Sequence, residues 1–465
     1  MKIKFEGAAQ TVTGSQTVVS HNNYSTLIDC GLYQAPKPLR LLNWEKPSYI
    51  NDIQSIILTH AHIDHSGLLP RWAYWGWKGP VYCTTSTADL LSIMLPDAAR
   101  LQEEDARYAN KRKHSRHNPA LPLYTEKDAE AALKLLQPLP FEKWHEVSPS
   151  MSFRFLRAGH ILGSAIVQIS YTSSNHSKIL TFSGDLGGGH SDLLKEPRNI
   201  LESNELVLES TYGDRKVNAE GRDDRLAEII NKVIDRAGTL VVPAFALGRT
   251  QDLLFSIYQL NQNKKIPDVL VYLDSPMANS VTKVYMKHLD ELRFDPSNNH
   301  IGESLSTHNF HGVESYEGSV SLQASQEPKI IISASGMLQG GRVLHHLKQR
   351  LPDPKNGVLF VGFQGRETKG RLLQDGIQTI RIHHEEISVR AEIFTLEGYS
   401  AHGDANDLLS WLKSFQKKPD RIFLNHGEFE AQKVFAERIR NEFKVTVEIP
   451  ELHQEYDLGE DREKE

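Results

Sequence analysis

The densest chemistry in the chain is the run His60-Ala61-His62-Ile63-Asp64-His65. Imidazole nitrogen and carboxylate oxygen are suitable ligands for zinc and similar divalent ions. In a tight turn His60 and His62 can face one ion while Asp64 and His65 face a second. A polar loop merely rich in histidine is the alternative. The chain has 21 histidines in 465 residues, about twice ordinary usage, yet a chance match to this spacing is still on the order of a few in a thousand. Other apolar runs stop at a ligand-type residue: Asp29 in TLIDCG, His160 in AGHILGS, Asp185 in ILTFSGD and Glu209 in LVLEST. His402 in IFTLEGYSAHGD and His426 in RIFLNHGE do the same. Singly, each is ordinary turn chemistry. Together they point to one shared site at the edge of a sheet, where α/β folds gather ligands.

The hydrophobic pattern says which elements carry these residues. Over the first two hundred positions KIKF, TVVS, YSTLIDC, SIILTH, PVYC, SFRFLRA, SAIVQISY and KILTFSGD read as short strands, interrupted by one helix-and-loop stretch over 87–138. From Asp223 the rhythm changes. DDRLAEIINKVIDRAG places Leu226, Ile229, Ile230, Val233 and Ile234 on one helical face. The apolar strands TLVVP, VLVYLDSP, KIIISASGM and GVLFVG then alternate with helices, the mark of a parallel sheet covered on both faces. Short strands and helices resume after residue 375, and the acidic stretch from Glu451 reads as a frayed tail.

Composition bounds the function. Hydrophobic residues make up 39% and charged residues 24%, an ordinary globular balance, and the length suggests two or three domains. No apolar run approaches the ~20 residues of a membrane span, so no membrane protein is expected. Two cysteines, Cys30 and Cys83, exclude a disulfide scaffold and a cysteine-rich zinc module. With no secretory pattern at the start, a cytoplasmic setting is expected. A net charge of −6 gives no bulk attraction to nucleic acid, so such a partner needs a local basic surface. The run 107–119, with five basic residues and no acid, is a candidate.

H-A-H-I-D-H with Asp29, His160 and Asp185 resembles the metallo-β-lactamase fold, a four-layer αββα sandwich that holds two metals. Glu209, the S-A-H-G-D around His402 and the N-H-G-E around His426 resemble the additional motifs of its β-CASP branch of nucleases. G-A-A-Q-T-V-T-G-S at 7–15, P-A-F-A-L-G-R-T at 243–250, D-S-P-M-A at 274–278 and S-A-S-G-M at 333–337 match as well. The resemblance covers about residues 1–450. It implies an α/β chain with a lactamase domain in two parts, 1–208 and 376–450, an inserted parallel-sheet β-CASP domain at 209–375, and the tail 451–465.

Carried over by position, the resemblance implies a first zinc held by His60, His62 and His160, a second by Asp64, His65 and His426, and Asp185 bridging the two. Asp29 would orient a ligand, His402 would serve the leaving group, and Glu209 would orient His402 and raise its pKa. Histidine at position 62 favours zinc over iron. Ser333, Ser335, Gly336, Met337, Arg249 and Arg371 are candidate substrate contacts. Two departures lie near those contacts: Gly188 and Gly189 stand where the family often has a basic residue, and Glu367-Thr368-Lys369-Gly370-Arg371 stands for a usual G-T-x-G-R. The tandem pairs His345–His346 and His383–His384 fit no ligand pattern.

The expectation is a zinc-dependent ribonuclease that cuts single-stranded RNA to 5′-phosphate and 3′-hydroxyl ends, with a homodimer compatible. A DNA-processing nuclease of the same branch is the alternative, and His426 in place of a smaller apolar residue favours RNA. A catalytically inactive RNA-binding scaffold is the non-enzymatic alternative.

Overall fold

The alternating runs of the N-terminal part assemble into two seven-stranded sheets. In hydrogen-bonded order the first is Glu455–Asp457, Lys2–Phe5, Thr17–His21, Tyr24–Ile28, Ser55–Ile57, Val81–Thr84 and Leu136–Leu139. The second is Thr446–Glu448, Arg421–Asn425, Glu205–Glu209, His176–Phe182, Ala165–Ser173, Met151–Arg157 and His145–Ser148. Successive side chains of a strand face opposite ways, and that alternation sorts the core. Phe153, Phe155, Val167, Ile169 and Val207 meet Ile3, Phe5, Val19, Ile28 and Ile57 between the sheets. Leu156, Ile166, Leu206 and Leu208 face outward onto the helices Ala405–Lys413 and Phe429–Phe443. The 28-residue helix Thr85–Arg112 lies on the outer face of the first sheet and buries Leu90, Leu91, Met94 and Leu95. The layers are therefore αββα.

This computed structural model describes residues 1–34, 36–112, 118–173, 176–189, 191–293, 309–365 and 367–459. It divides into two compact units. The sandwich comprises residues 1–189, 196–216 and 402–465, and the second unit comprises 190–195 and 217–401. The second unit is built on a six-stranded, wholly parallel sheet ordered Phe310–Gly312, Val271–Leu273, Lys329–Ser333, Thr239–Pro243, Gly357–Phe360 and Glu392–Thr395. Every residue of Thr239–Pro243 and Lys329–Ser333 is buried, as a sheet covered on both faces requires. The helix Arg222–Asp235 buries Leu226, Ala227, Ile230 and Val233.

The boundaries differ from the sequence expectation in several places, with residues 190–195 falling in the second unit. Glu209 lies in the sandwich. Residues 376–401 lie in the second unit, because the hairpin of Thr379–Ile382 and Glu385–Ser388 packs on its core and Glu392–Thr395 pairs with Gly357–Phe360. The stretch after Glu451 is not frayed through residue 459. Glu455–Asp457 pairs antiparallel with residues 2–4, and Leu458 is buried. Residues 460–465 of the expected tail lie outside the described residues, as do 113–117 of the basic run 107–119. Among the described residues no helix is long and apolar enough to cross a membrane.

One core residue makes the sandwich sensitive to pH. Glu205 is buried, and Tyr171 donates its hydroxyl to Glu205 Oε2 at 3.3 Å. Burial pushes this carboxyl up to about 7, against the pull of Lys178 and Arg421. A raised acid pKa means the folded state prefers the protonated form, so stability falls as pH rises from about 4.5 to 7. Glu205→Gln should therefore stabilise the protein by about 2–3 kcal/mol at pH 8 and by nothing at pH 4.5. Urea unfolding of both proteins at the two pH values checks this, and an equal difference at both would refute it.

Candidate metal centre

The ligand-type residues leave the two sheets where their strands end. His60 follows the strand Ser55–Ile57, and the short helix Ile63–Ser66 carries Asp64 and His65. Three backbone bonds lock this loop to its neighbours: Ser15 N to Asp64 O, Cys30 N to His65 O and Leu32 N to Ile63 O, at 2.8–2.9 Å. The approach is so close that a Cβ at Gly31 would stand 1.7 Å from Asp64 O. His160 follows Met151–Arg157, where its backbone N–H donates to Ser164 Oγ. Asp185 follows His176–Phe182, and Glu209 and His426 end neighbouring parallel strands. His402 precedes the helix Ala405–Lys413, whose N-terminus is capped by Asp404 through the N–H groups of Asn406 and Asp407.

These residues converge in two groups. His62 Nδ1 lies 3.1 Å from both His60 Nε2 and His160 Nε2, and each of the latter is 3.6 Å from Asp185 Oδ2. His426 Nε2 lies 3.2 Å from His65 Nε2 and 3.5 Å from Asp64 Oδ2, while His65 Nε2 is 3.4 Å from Asp185 Oδ1. Zinc–nitrogen bonds of 2.0–2.1 Å in a tetrahedron put neighbouring ligand atoms about 3.3–3.4 Å apart, which is the spacing seen here. Asp185 Oδ1 is buried and accepts no hydrogen bond. The donor set therefore fits divalent metal, with one oxygen of Asp185 against each group.

Burial and neighbouring charges act differently on the individual ligands. Burial lowers His60 and takes His62 down to about 4, favouring the neutral imidazole that binds metal. Burial also opposes charge on His65, but Asp185 and Asp29 raise it above its ordinary value. Burial works to raise Asp64 and Asp185, yet the nearby histidines hold both below the usual carboxylate range. Asp29 Oδ2 accepts a hydrogen bond from His65 Nδ1–H at 2.7 Å, which leaves Nε2 facing the group. Asp29 itself sits at φ 62°, held there by Thr59 N and Oγ1 and by Ser15 Oγ.

Three hydroxyls here escaped the sequence reading. Thr59 Oγ1 lies 3.0 Å from His60 Nδ1, Thr211 Oγ1 lies 3.1 Å from His426 Nδ1, and Ser15 binds Asp29. Adjacency to His60 was the signal available for Thr59, and Thr211 had no such neighbour. His402 Nδ1 stands 3.1 Å from Glu209 Oε2, and Glu209 Oε1 accepts Leu186 N at 2.6 Å. Burial disfavours charge on His402, but Glu209 and Asp185 together push it up to about 10.

The substrate candidates all lie in the second unit. Ser333 is wholly buried and donates to Asp274 O, so its hydroxyl is a strut and not a surface group. Ser335 Oγ accepts Gln339 N, and Gly336 O accepts from Gln364 Nε2. Met337 is half-buried. Arg249 donates to Tyr399 O, and Arg371 makes a two-pronged bond to Asp375 on its own helix. His346, unplaced in the sequence, is buried with its Nε2 2.6 Å from Asp274 Oδ2.

Three family models match the chain: the metallo-beta-lactamase superfamily over residues 10–211, the Beta-Casp domain over 250–373, and the Zn-dependent metallo-hydrolase RNA specificity domain over 386–450. A ribonuclease of Thermus thermophilus is 33% identical over 443 residues, covering 92% of this chain and 94% of that protein. The chain belongs to the β-CASP metallo-β-lactamase nucleases. An RNase J-like protein of Methanocaldococcus jannaschii is 32% identical across 96% of this chain and 97% of its own length. A transcription termination factor of the same organism is 30% identical over 97% of this chain and 70% of its own length. A crystal structure of a protein of unknown function from Enterococcus faecalis V583 shares the fold with a TM-score of 0.55 at 13% identity, over 98% of this chain and 99% of that one. As a β-CASP nuclease the chain is a metal-dependent enzyme.

Asp29→Asn tests the support of His65 without disturbing the backbone, since Asn tolerates a positive φ. It should weaken zinc binding about ten- to a hundredfold in competition with a chromophoric chelator, whereas His402→Ala should leave zinc content unchanged. Wild-type affinity in the Asn variant would overturn the role given to Asp29.

Proposed function

We propose that the protein is a zinc-dependent ribonuclease that hydrolyses single-stranded RNA at a pair of zinc ions and leaves 5′-phosphate and 3′-hydroxyl ends. The coarser statement, an RNA nuclease, rests on the ribonuclease and RNase J-like relatives. The finer one rests on a single observation: the two oxygens of Asp185 each face a separate group of ligand atoms at tetrahedral spacing. His60, His62 and His160 would hold one ion and Asp64, His65 and His426 the other. When bound, such a pair supplies Lewis-acid charge neutralisation at the phosphate and activates water for in-line attack.

The remaining chemistry belongs to the chain. His402 directs Nδ1–H to Glu209, whose carboxylate favours the imidazolium form. Its Nε2–H is then the proton donor to a phosphate oxygen or to the departing ribose oxygen. Leu186 N fixes Glu209, so the donor is oriented from the same loop that carries Asp185. Water forms the new bond to phosphorus as the P–O3′ bond breaks, so the ribose 3′-oxygen leaves as a hydroxyl with the proton from His402 and the downstream fragment keeps the phosphate on its 5′ end. Ser335, the backbone at Gly336 and Met337, Arg249 and Arg371 are the proposed substrate contacts.

Metal analysis paired with cleavage of end-labelled single-stranded RNA and its DNA equivalent tests this reading. About two zinc ions per chain are expected, with 5′-phosphate products. His402→Ala should keep its zinc and lose about 10²–10⁴-fold in kcat, while Asp185→Ala should lose both metal and activity. RNA bound but left intact would favour the scaffold, and cleavage of DNA alone would favour the DNA-processing branch.

A further inference from the structure

The sandwich carries a second surface suited to nucleic acid, apart from the metal centre. The helix Lys37–Leu42 buries none of its residues although three of its six are leucine. Beside it Trp44 is 45% exposed, and Tyr74, at the end of the helix Leu69–Tyr74, is 59% exposed. The Arg71 guanidinium sits among the rings of Trp44, Tyr74 and Trp75, at 5.3, 4.6 and 5.0 Å from their centroids. Leu123 O pins that guanidinium at 2.7 Å, and Lys46 Nζ reaches Trp75 O at 3.5 Å. Beneath this exposed layer Trp72 is wholly buried and packs against Tyr49 and Trp77. The rings are thus held in place before any ligand arrives.

The segments that carry them are rich in cations. Lys37, Arg40, Lys46 and Lys78 are exposed, and among the described residues none has a carboxylate partner within 4.0 Å. Arg71 is a fifth cation, and Asp128 is the carboxylate that acts on it. One wall follows the metal loop in sequence, and the other is bonded to Tyr33, next to the Leu32 whose N–H donates to Ile63 O. The helix Leu69–Tyr74 begins four residues after His65, and Trp44 follows Asn43, whose amide is bonded twice to the Tyr33 backbone. Flat rings that accept any base, ringed by cations for the phosphates, match a single-stranded polynucleotide better than a protein surface.

We infer that Trp44, Tyr74 and Trp75, braced by Arg71, form a stacking platform on which single-stranded RNA rests while one of its phosphodiesters occupies the metal centre. The platform rests on the ribonuclease reading for the identity of the strand. It acts by holding long substrates and takes no part in bond cleavage.

The full-length zinc-loaded enzyme tests this with a Trp44→Ala/Tyr74→Ala double variant and the conservative Trp44→Phe. For a 20-nucleotide single-stranded RNA the double variant should raise KM about ten- to a hundredfold with kcat unchanged. Trp44→Phe should stay near wild type. Cleavage of a four-nucleotide RNA and of bis(p-nitrophenyl) phosphate should not change. Fluorescence anisotropy should show the same loss of affinity for the 20-mer, and none for a duplex of equal length, whose bases cannot stack on the rings. Unchanged KM and affinity for the 20-mer would overturn the platform and leave the surface to a protein partner. Equal losses on the four-nucleotide RNA would also overturn it, because they would mean damage to the centre itself. A wild type that binds the 20-mer through these rings but cleaves no RNA would instead sink the nuclease reading while leaving the platform standing.

Discussion

A buried carboxylate surrounded by imidazoles is the constraint around which the sandwich is organised. Asp185 is 2% exposed and stands within 3.4–3.9 Å of His60, His65, His160, His402 and His426. An anion taken out of water is destabilising by several kcal/mol unless opposite charge or donors meet it. Here the compensation must come from both sheets at once. The first contributes Asp29 and the loop from His60 to His65, and the second contributes His160, Asp185, Glu209 and His426. The aromatic and aliphatic core between the sheets, with Phe5, Phe153, Phe155 and Phe423, sets the distance at which those two half-sites meet.

What could be read from the chain followed from how local each signal was. The run from His60 to His65 is contiguous, so its spacing alone pointed to metal. The strand-end residues were legible as a set because every one interrupts an apolar run. Glu209 and His402 are 193 residues apart, and only the motif resemblance joined them before the fold did. Thr59, Thr211 and Ser15 carried no signal of their own, since a hydroxyl gains its role only from the imidazole or carboxylate set opposite it.

Two misreadings have the same physical origin. The acidic stretch after Glu451 has little apolar content, so nothing local argues for order. Its strand is stabilised by backbone pairing with residues 2–4 at the far end of the chain, and by the single buried Leu458. Likewise the hairpin at 379–388 looked like the resumption of the sandwich because strand patterns do not state which sheet they join. The aromatic cluster at Arg71 was invisible for a related reason: Trp44 and Tyr74 are 30 positions apart, and only packing places both rings on one guanidinium.

The order of the residues along the chain has a consequence in time. His60, His62, Asp64, His65, His160, Asp185 and Glu209 all precede residues 217–401, the bulk of the second unit, whereas His402 and His426 come after it. The first sheet, too, acquires its outermost strand only with residues 455–457. A chain emerging from a ribosome therefore holds a half-built centre for most of its synthesis. Hydrolytic competence waits until the second unit has been made and the chain has passed His426.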